Sequence, residues 1–186
     1  MSEEGHSADF QGLLALASGC GATRAGIVAV RDISFSESFR ELCAMNHCGH
    51  YGINWMCPPA VGEFEILRNQ VMQFDRGLVI QTVTALEDSF DYEGMVRAAD
   101  RHEEVFRSVL QEFRLSESGR PHFPLNAGQC KYCNQCTCPD SPCPYPGEAI
   151  ASLEAYGIDV NALVSACGIP YNNGTATVSY AGMILF

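Results

Sequence analysis

The sequence predicts an α/β (α+β) fold: a small mixed sheet flanked by helices, with a cysteine-rich lobe formed by two loops. Three observations predict it. Compact apolar runs at Gly26–Val30, Leu78–Leu86 and Thr175–Phe186 read as strands. Segments between them place apolar residues at helical spacing. Eight of the ten cysteines fall in two loop-like stretches, 43–59 and 128–146. The 186 residues suit a single domain over 1–186, with a core large enough to carry a cofactor lobe.

In chain order, Ser7–Ser18 carries Phe10, Leu13, Leu14, Leu16 and Ala17, a short amphipathic helix that Gly19-Cys20-Gly21 ends. Gly26–Val30 is a buried strand. Asp32 or Ser34 can cap a following helix that presents Phe35, Phe39, Leu42 and Cys43. The glycines and the Pro58-Pro59 pair make Cys43–Pro59 a loop. Glu63–Phe74 is helical, with Phe64, Leu67, Val71 and Phe74 on one face. Leu78–Leu86 is the clearest strand, rich in β-branched residues.

Tyr92–Leu115 reads as a long helix with a stripe of Val96, Ala99, Val105, Phe106, Val109, Leu110 and Phe113. Ser118–Pro121 breaks it. After the second cysteine loop, Gly147–Ala155 is expected to be a helix ended by Gly157, and Asp159 to cap another reaching Ala166. Asn172-Asn173-Gly174 is a turn signal, and the last residues form a buried strand. Glu148, Glu154 and Asp159 are expected at helix starts and on the surface.

The formal charge of -11 and the scatter of the eleven basic residues exclude a nucleic-acid surface, which needs Lys and Arg clusters. No apolar run reaches the ~18 residues that span a bilayer. The acidic start, Met1-Ser2-Glu3-Glu4-Gly5-His6, lacks the basic and apolar regions of a signal peptide. The cysteine spacing also resembles ligation more than distributed staples. The expected setting is therefore a reducing cytoplasm.

Gly128–Pro146 holds Cys130, Cys133, Cys136, Cys138 and Cys143. Three stand at Cys-x2-Cys-x2-Cys, and Cys143 precedes Pro144. That is the pattern of ferredoxin-type loops, in which thiolates at every third residue wrap one face of a cluster. Zinc commonly takes two separated Cys-x2–4-Cys pairs instead. The upstream loop offers Cys43, Cys48 and Cys57, the last followed by proline. Together the two loops supply the eight thiolates that two [4Fe–4S] clusters require. Cys130, Cys133, Cys136 and Cys143 suit one cluster. Cys43, Cys48 and Cys57 suit the other, with its fourth iron bound by Cys138 or left open. Clusters of this kind are oxygen-labile, which suits an anaerobic host.

His47, His50 and Tyr51 lie beside the upstream ligands and could bind iron or move protons, although histidines in loops more often only form hydrogen bonds. Lys131 is expected to face solvent. Cys20 and Cys167, each next to a glycine, read as small buried hydrophobes, with ligation or a redox pair as minor alternatives. No dinucleotide, phosphate-loop or nucleophile-elbow motif is present.

The combination Cys48-x-x-Tyr51-Gly52-x4-Cys57-Pro58-Pro59, Gly128-x-Cys130-x2-Cys133-x2-Cys136, Pro142-Cys143-x-x-Pro146 and Ser152-x-Glu154-Ala155-x-Gly157-Ile158-Asp159-Val160 resembles a family of predicted metal-binding proteins, domain of unknown function 2284. The resemblance implies metal binding, with iron–sulfur as the expected form, in bacteria and archaea that are often anaerobes. It implies no reaction. Cys138 departs from the family pattern, which weakens its claim as a required ligand.

Three functions follow. The first is an electron carrier with two [4Fe–4S] clusters that serves a redox partner with a basic docking surface. The second is an enzyme that uses an open iron on a small molecule. The third is a structural zinc module. A scaffold larger than a minimal ferredoxin needs moves weight from the pure carrier toward the enzyme or a relay docked to a partner.

Overall fold

The computed structural model describes residues 4–186, with the side chains of residues 4–9 excepted. The acidic start at Met1-Ser2-Glu3 lies outside the described residues. Helix α1 (Glu4–Gly19) leads to β1 (Arg24–Ala29), and α2 (Ser38–Ala44) to the first cysteine loop. Next come α3 (Phe64–Val71), β2 (Arg76–Ala85), α4 (Tyr92–Ser116) and β3 (Phe123–Asn126). The second cysteine loop is followed by β4 (Ala151–Ser152), α5 (Val160–Ala166) and β5 (Thr177–Leu185).

The strands form one open mixed sheet in the order β1-β2-β5-β3-β4. Every pairing is antiparallel except β3 with β4. Helices cover both faces, which explains the strand patterns. Leu78, Ile80 and Ile184 pack with Leu13, Ala17, Phe106, Leu110 and Phe113 of α1 and α4. Val79, Met183 and Leu185 pack with Leu67, Val71, Leu163 and Val164 of α3 and α5. Strands buried on both sides read as continuous apolar runs rather than as alternation.

The 147–155 helix does not form. Residues 145–149 make a turn, and Ala151 and Ser152 pair in parallel with Leu125 and Asn126. Ser152 Oγ then accepts the Ala155 N–H (3.0 Å), and a 3-10 turn over Glu154–Tyr156 ends at Gly157 with φ of 71°. Ile150 and Leu153 fit either period, and tertiary pairing decides between them. Strand β3 contains Pro124, which argues against a strand inside a sheet. Phe123 and Leu125 pair with β5, so the proline nitrogen faces the β4 side, where the ladder begins only at Leu125.

The buried stripe of α4 also differs from expectation. It runs through Ala98 and His102 rather than Val96 and Ala99, and Val96 is exposed. Asp91 caps this helix by accepting the Gly94 N–H (2.7 Å), and Asp159 caps α5 through Ala162 (2.9 Å). No helix among the described residues is long and apolar enough to cross a membrane.

Candidate metal centre

Helix α2 delivers Cys43 in its last turn. The chain then coils back through Asn46, Gly49 and Gly52, all at positive φ. Asn46 Oδ1 accepts the Tyr51 N–H (3.0 Å), and Gly52 N–H donates to the Pro58 carbonyl (2.9 Å). This folding turns Cys57 toward the second loop. Three contacts join the loops. Asn54 Nδ2 donates to the Cys130 carbonyl (3.2 Å), Trp55 Nε1 to the Ser141 carbonyl (3.0 Å), and the Cys138 thiol to the Gly52 carbonyl (3.7 Å). Asn54 is 4% exposed, and its Oδ1 accepts the Met56 N–H (2.9 Å), so both ends of its amide are engaged.

Cys130, Cys133, Cys136, Cys138 and Cys143 line one cavity of about 630 Å³, which His50, Asn54 and Trp55 of the first loop also line. His47 and Tyr51 do not line it. Cys43, Cys48 and Cys57 form a separate group beside it. Burial, and then the charges of Cys48, Cys43, Cys130 and Cys136, push the Cys57 thiol up to about 12. Cys57 therefore lies within electrostatic reach of both groups. Burial also raises Cys43, aided by Glu154 and Cys48 and opposed by Arg40. Burial raises Cys133, aided by Cys130, Cys143 and Cys136; the same cause raises Cys138, aided by Cys136 and Asp140.

Thiolates crowded in this way repel one another, and a bound cation relieves that repulsion. The donor set, all sulfur around an open cavity, therefore fits a thiophilic metal group. Among the described residues no three acidic, histidine or cysteine side chains converge on one point suited to a single ion.

Helix α4 braces the second loop from behind. Lys131 Nζ pairs with Asp100 Oδ1 (2.7 Å) instead of facing solvent freely. Arg107 stacks on Tyr132, whose ring meets Tyr145 edge-on with centroids 5.1 Å apart. Beneath them lies a buried polar chain that the sequence did not reveal. Arg107 Nε donates to Glu103 Oε1 (2.6 Å), Asn126 Nδ2 to Glu103 Oε2 (2.6 Å), and His102 Nε2 meets Asn126 Oδ1 (2.9 Å). The carboxylate only accepts, so Asn126 turns its NH2 to Glu103 and its oxygen to His102. His102 then carries its proton on Nε2, and Nδ1 accepts the Thr82 hydroxyl (2.9 Å).

Cys20 packs with the α1/α4 face and Cys167 with the α3/α5 face, so the sheet separates them and they form no redox pair. Cys167 seats against Gly26, where any Cβ would fall 2.6 Å from its own Cβ, and burial pushes its thiol up to about 11. Glu148 pairs with Arg107 and Arg114. Glu154 is not a surface charge: burial raises its carboxyl above the usual range.

A thiol-lined lobe built from two loops on an open mixed sheet defines a metal-binding protein. The chain belongs to the family DUF2284, described as predicted metal-binding protein, whose model matches residues 26–186. No curated protein and no solved structure matches it.

Proposed function

We propose that the protein is a cytoplasmic iron–sulfur protein that holds two [4Fe–4S] clusters and passes electrons to or from a redox partner. The observation that carries this reading is the cavity lined by all five cysteines of 128–146, with Cys57 of the other loop in the field of Cys130 and Cys136. Cys130, Cys133, Cys136 and Cys143 would hold one cluster. Cys43, Cys48 and Cys57 would hold the other, with Cys138, whose thiol reaches Gly52 of that loop, as fourth ligand. Such clusters supply one-electron steps at potentials set by charge, hydrogen bonding and exposure. The chain's own residues hold the loops: Asn54 and Trp55 clamp them together, and Lys131 and Tyr132 tie the second loop to α4. The net charge of -11 favours a partner with a basic docking surface.

One observation favours a second reading, an enzyme with an open iron. Cys138 stands two residues from Cys136, and beyond burial the charges that raise its thiol are those of Cys136 and Asp140 in its own loop. Three thiols would then leave one iron of the second cluster free to act on a small molecule as a Lewis acid.

Anaerobic purification with iron and sulfide quantitation, followed by EPR of the reduced protein with and without cyanide, tests both readings. About eight irons and a cyanide-insensitive signal support the relay. A cyanide-shifted signal supports the open iron. Zinc without sulfide overturns both and leaves a zinc module.

A further inference from the structure

A second cavity, of about 540 Å³, opens where β3 stops short of β5. Strand β3 pairs with β5 only as far as Met183, opposite Leu125. The first half of β5 is therefore paired on its β2 side alone. The reciprocal bonds between Arg76 and Phe186, and the Leu86 N–H bond to Ala176, fix the parity of the ladder. Even-numbered residues of β5 point their backbone groups at β2, and odd-numbered ones point away from it. Thr177, Ser179 and Ala181 thus turn an N–H and a C=O each toward the notch, and no described residue bonds them there.

Glu154 lines the same cavity and carries the one formal charge among its lining residues. Its carboxylate accepts hydrogen bonds from the Ser152 hydroxyl and from its own backbone N–H, but no Lys, Arg or His among the described residues pairs with it. The apolar part of the cavity's lining includes Leu86, Met95, Val160 and Val164. The volume is that of a small-molecule site, and its walls mix apolar and polar side chains.

We propose that this notch binds a small peptide-like organic cation, its ammonium group on Glu154 and its amide along the free edge of β5. A partly buried carboxylate that has hydrogen-bond donors but no lining cation rejects anions and gains most from an ammonium, which supplies the missing counter-charge. An unpaired strand edge bonds best to another amide, which offers a donor and an acceptor at strand spacing. Open water also hydrates both groups, but neither requirement alone would select a molecule that carries both features. The site is distinct from the cysteine cavity, although the charge of Glu154 is felt at Cys43.

Isothermal titration of the full chain with three probes tests the proposal: L-phenylalaninamide (cationic), N-acetyl-L-phenylalaninamide (neutral) and N-acetyl-L-phenylalanine (anionic). Heat of binding reads the same whether the lobe holds iron or zinc, so failure here is separable from failure of the relay. The expected result is saturable binding of the cation, about tenfold tighter than the neutral amide, and no binding of the anion. Glu154→Gln should bring cation and neutral amide to within about twofold of each other. Ser179→Pro removes one edge N–H without touching the β2 ladder but also the hydroxyl bonded to Asn173, so Ser179→Ala serves as its control; the proline, and not the alanine, should weaken both amides alike. The proposal is overturned if the wild type binds the neutral amide as tightly as the cation. It is equally overturned if Glu154→Gln keeps the preference, or if no probe binds at ~10 mM.

Discussion

The guanidinium of Arg107 lies over the ring of Tyr132, 5.0 Å from its centroid. The same side chain bonds Glu103 and donates to the Glu148 carbonyl at 3.3 and 3.4 Å. One residue of α4 therefore grips the second cysteine loop near its start and just beyond its end. Arg107→Ala removes both grips and leaves a Glu103 carboxylate that is only 18% exposed with no cation and only the Asn126 amide bonded to it. The expected cost is about 2–4 kcal/mol in chemical denaturation. Release of the metal group to a chelator should quicken as well. Arg107→Lys keeps the charge but not the planar fork, so it should recover less than half of the loss.

His102 is 1% exposed, and its ring sits between those of Phe106 and Tyr180. Burial brings its pKa down to about 4, opposed by the Asn126 hydrogen bond and aided by the Lys131 charge. The folded value lies below the unfolded 6.5, so between the two the unfolded chain binds more protons. This contribution to stability is complete above about pH 6.5 and falls as the pH drops toward 4. Between pH 7 and pH 5 the wild type should lose roughly 2 kcal/mol from this group alone. His102→Gln cannot titrate. Urea unfolding across that range should therefore show a shallower slope for the variant, whatever its stability at pH 7. Equal slopes would mean that His102 is not held neutral.

Gly182 makes room for this buried chain. A Cβ there would fall 2.5 Å from Asn126 Oδ1 and 2.6 Å from the Phe106 ring. Neither neighbour can yield, because Asn126 is held by His102 and Glu103, and Phe106 is fully buried. Gly182→Ala should lower stability by about 2–3 kcal/mol and shift the melting temperature accordingly. The same change at Gly119, which meets nothing within 4 Å, should cost less and act only through its positive φ of 86°.

These residues mark what the sequence could carry. Strands β1, β2 and β5 were readable because both faces are buried, which leaves long apolar runs. The cysteine loops were readable because their cysteines recur at short regular spacing and because proline and glycine punctuate them. Strand β3 was hidden by Pro124, whose missing N–H matters only on the side facing β4. Strand β4 was hidden by its two-residue length. His102, Asn126 and Glu103 were invisible for a different reason: each is an ordinary polar residue until helix α4 and strand β3 meet. Asn54 and Trp55 stood within a recognised loop, but their partners lie 76 and 86 residues away. No local pattern encodes such a pairing.

Asn54 is where the bipartite site is most directly testable. Its amide nitrogen holds the Cys130 carbonyl, and its oxygen holds the Met56 N–H one residue before Cys57. It thus fixes a cysteine of each loop relative to the other without being a ligand. Asn54→Ala removes both bonds in a buried setting, at a cost of about 1–3 kcal/mol. Asn54→Asp keeps the bond to Met56 but turns a carboxylate oxygen toward the Cys130 carbonyl, so two acceptors face each other and the cost should exceed that of alanine. The discriminating measurement is the metal content after gel filtration. If the loops form one lobe, both variants should lose metal from both cysteine groups together. Cys133→Ala, by contrast, should deplete only the group around the cavity. Selective loss in the Asn54 variants would mean that the two groups bind independently and that the clamp is only structural.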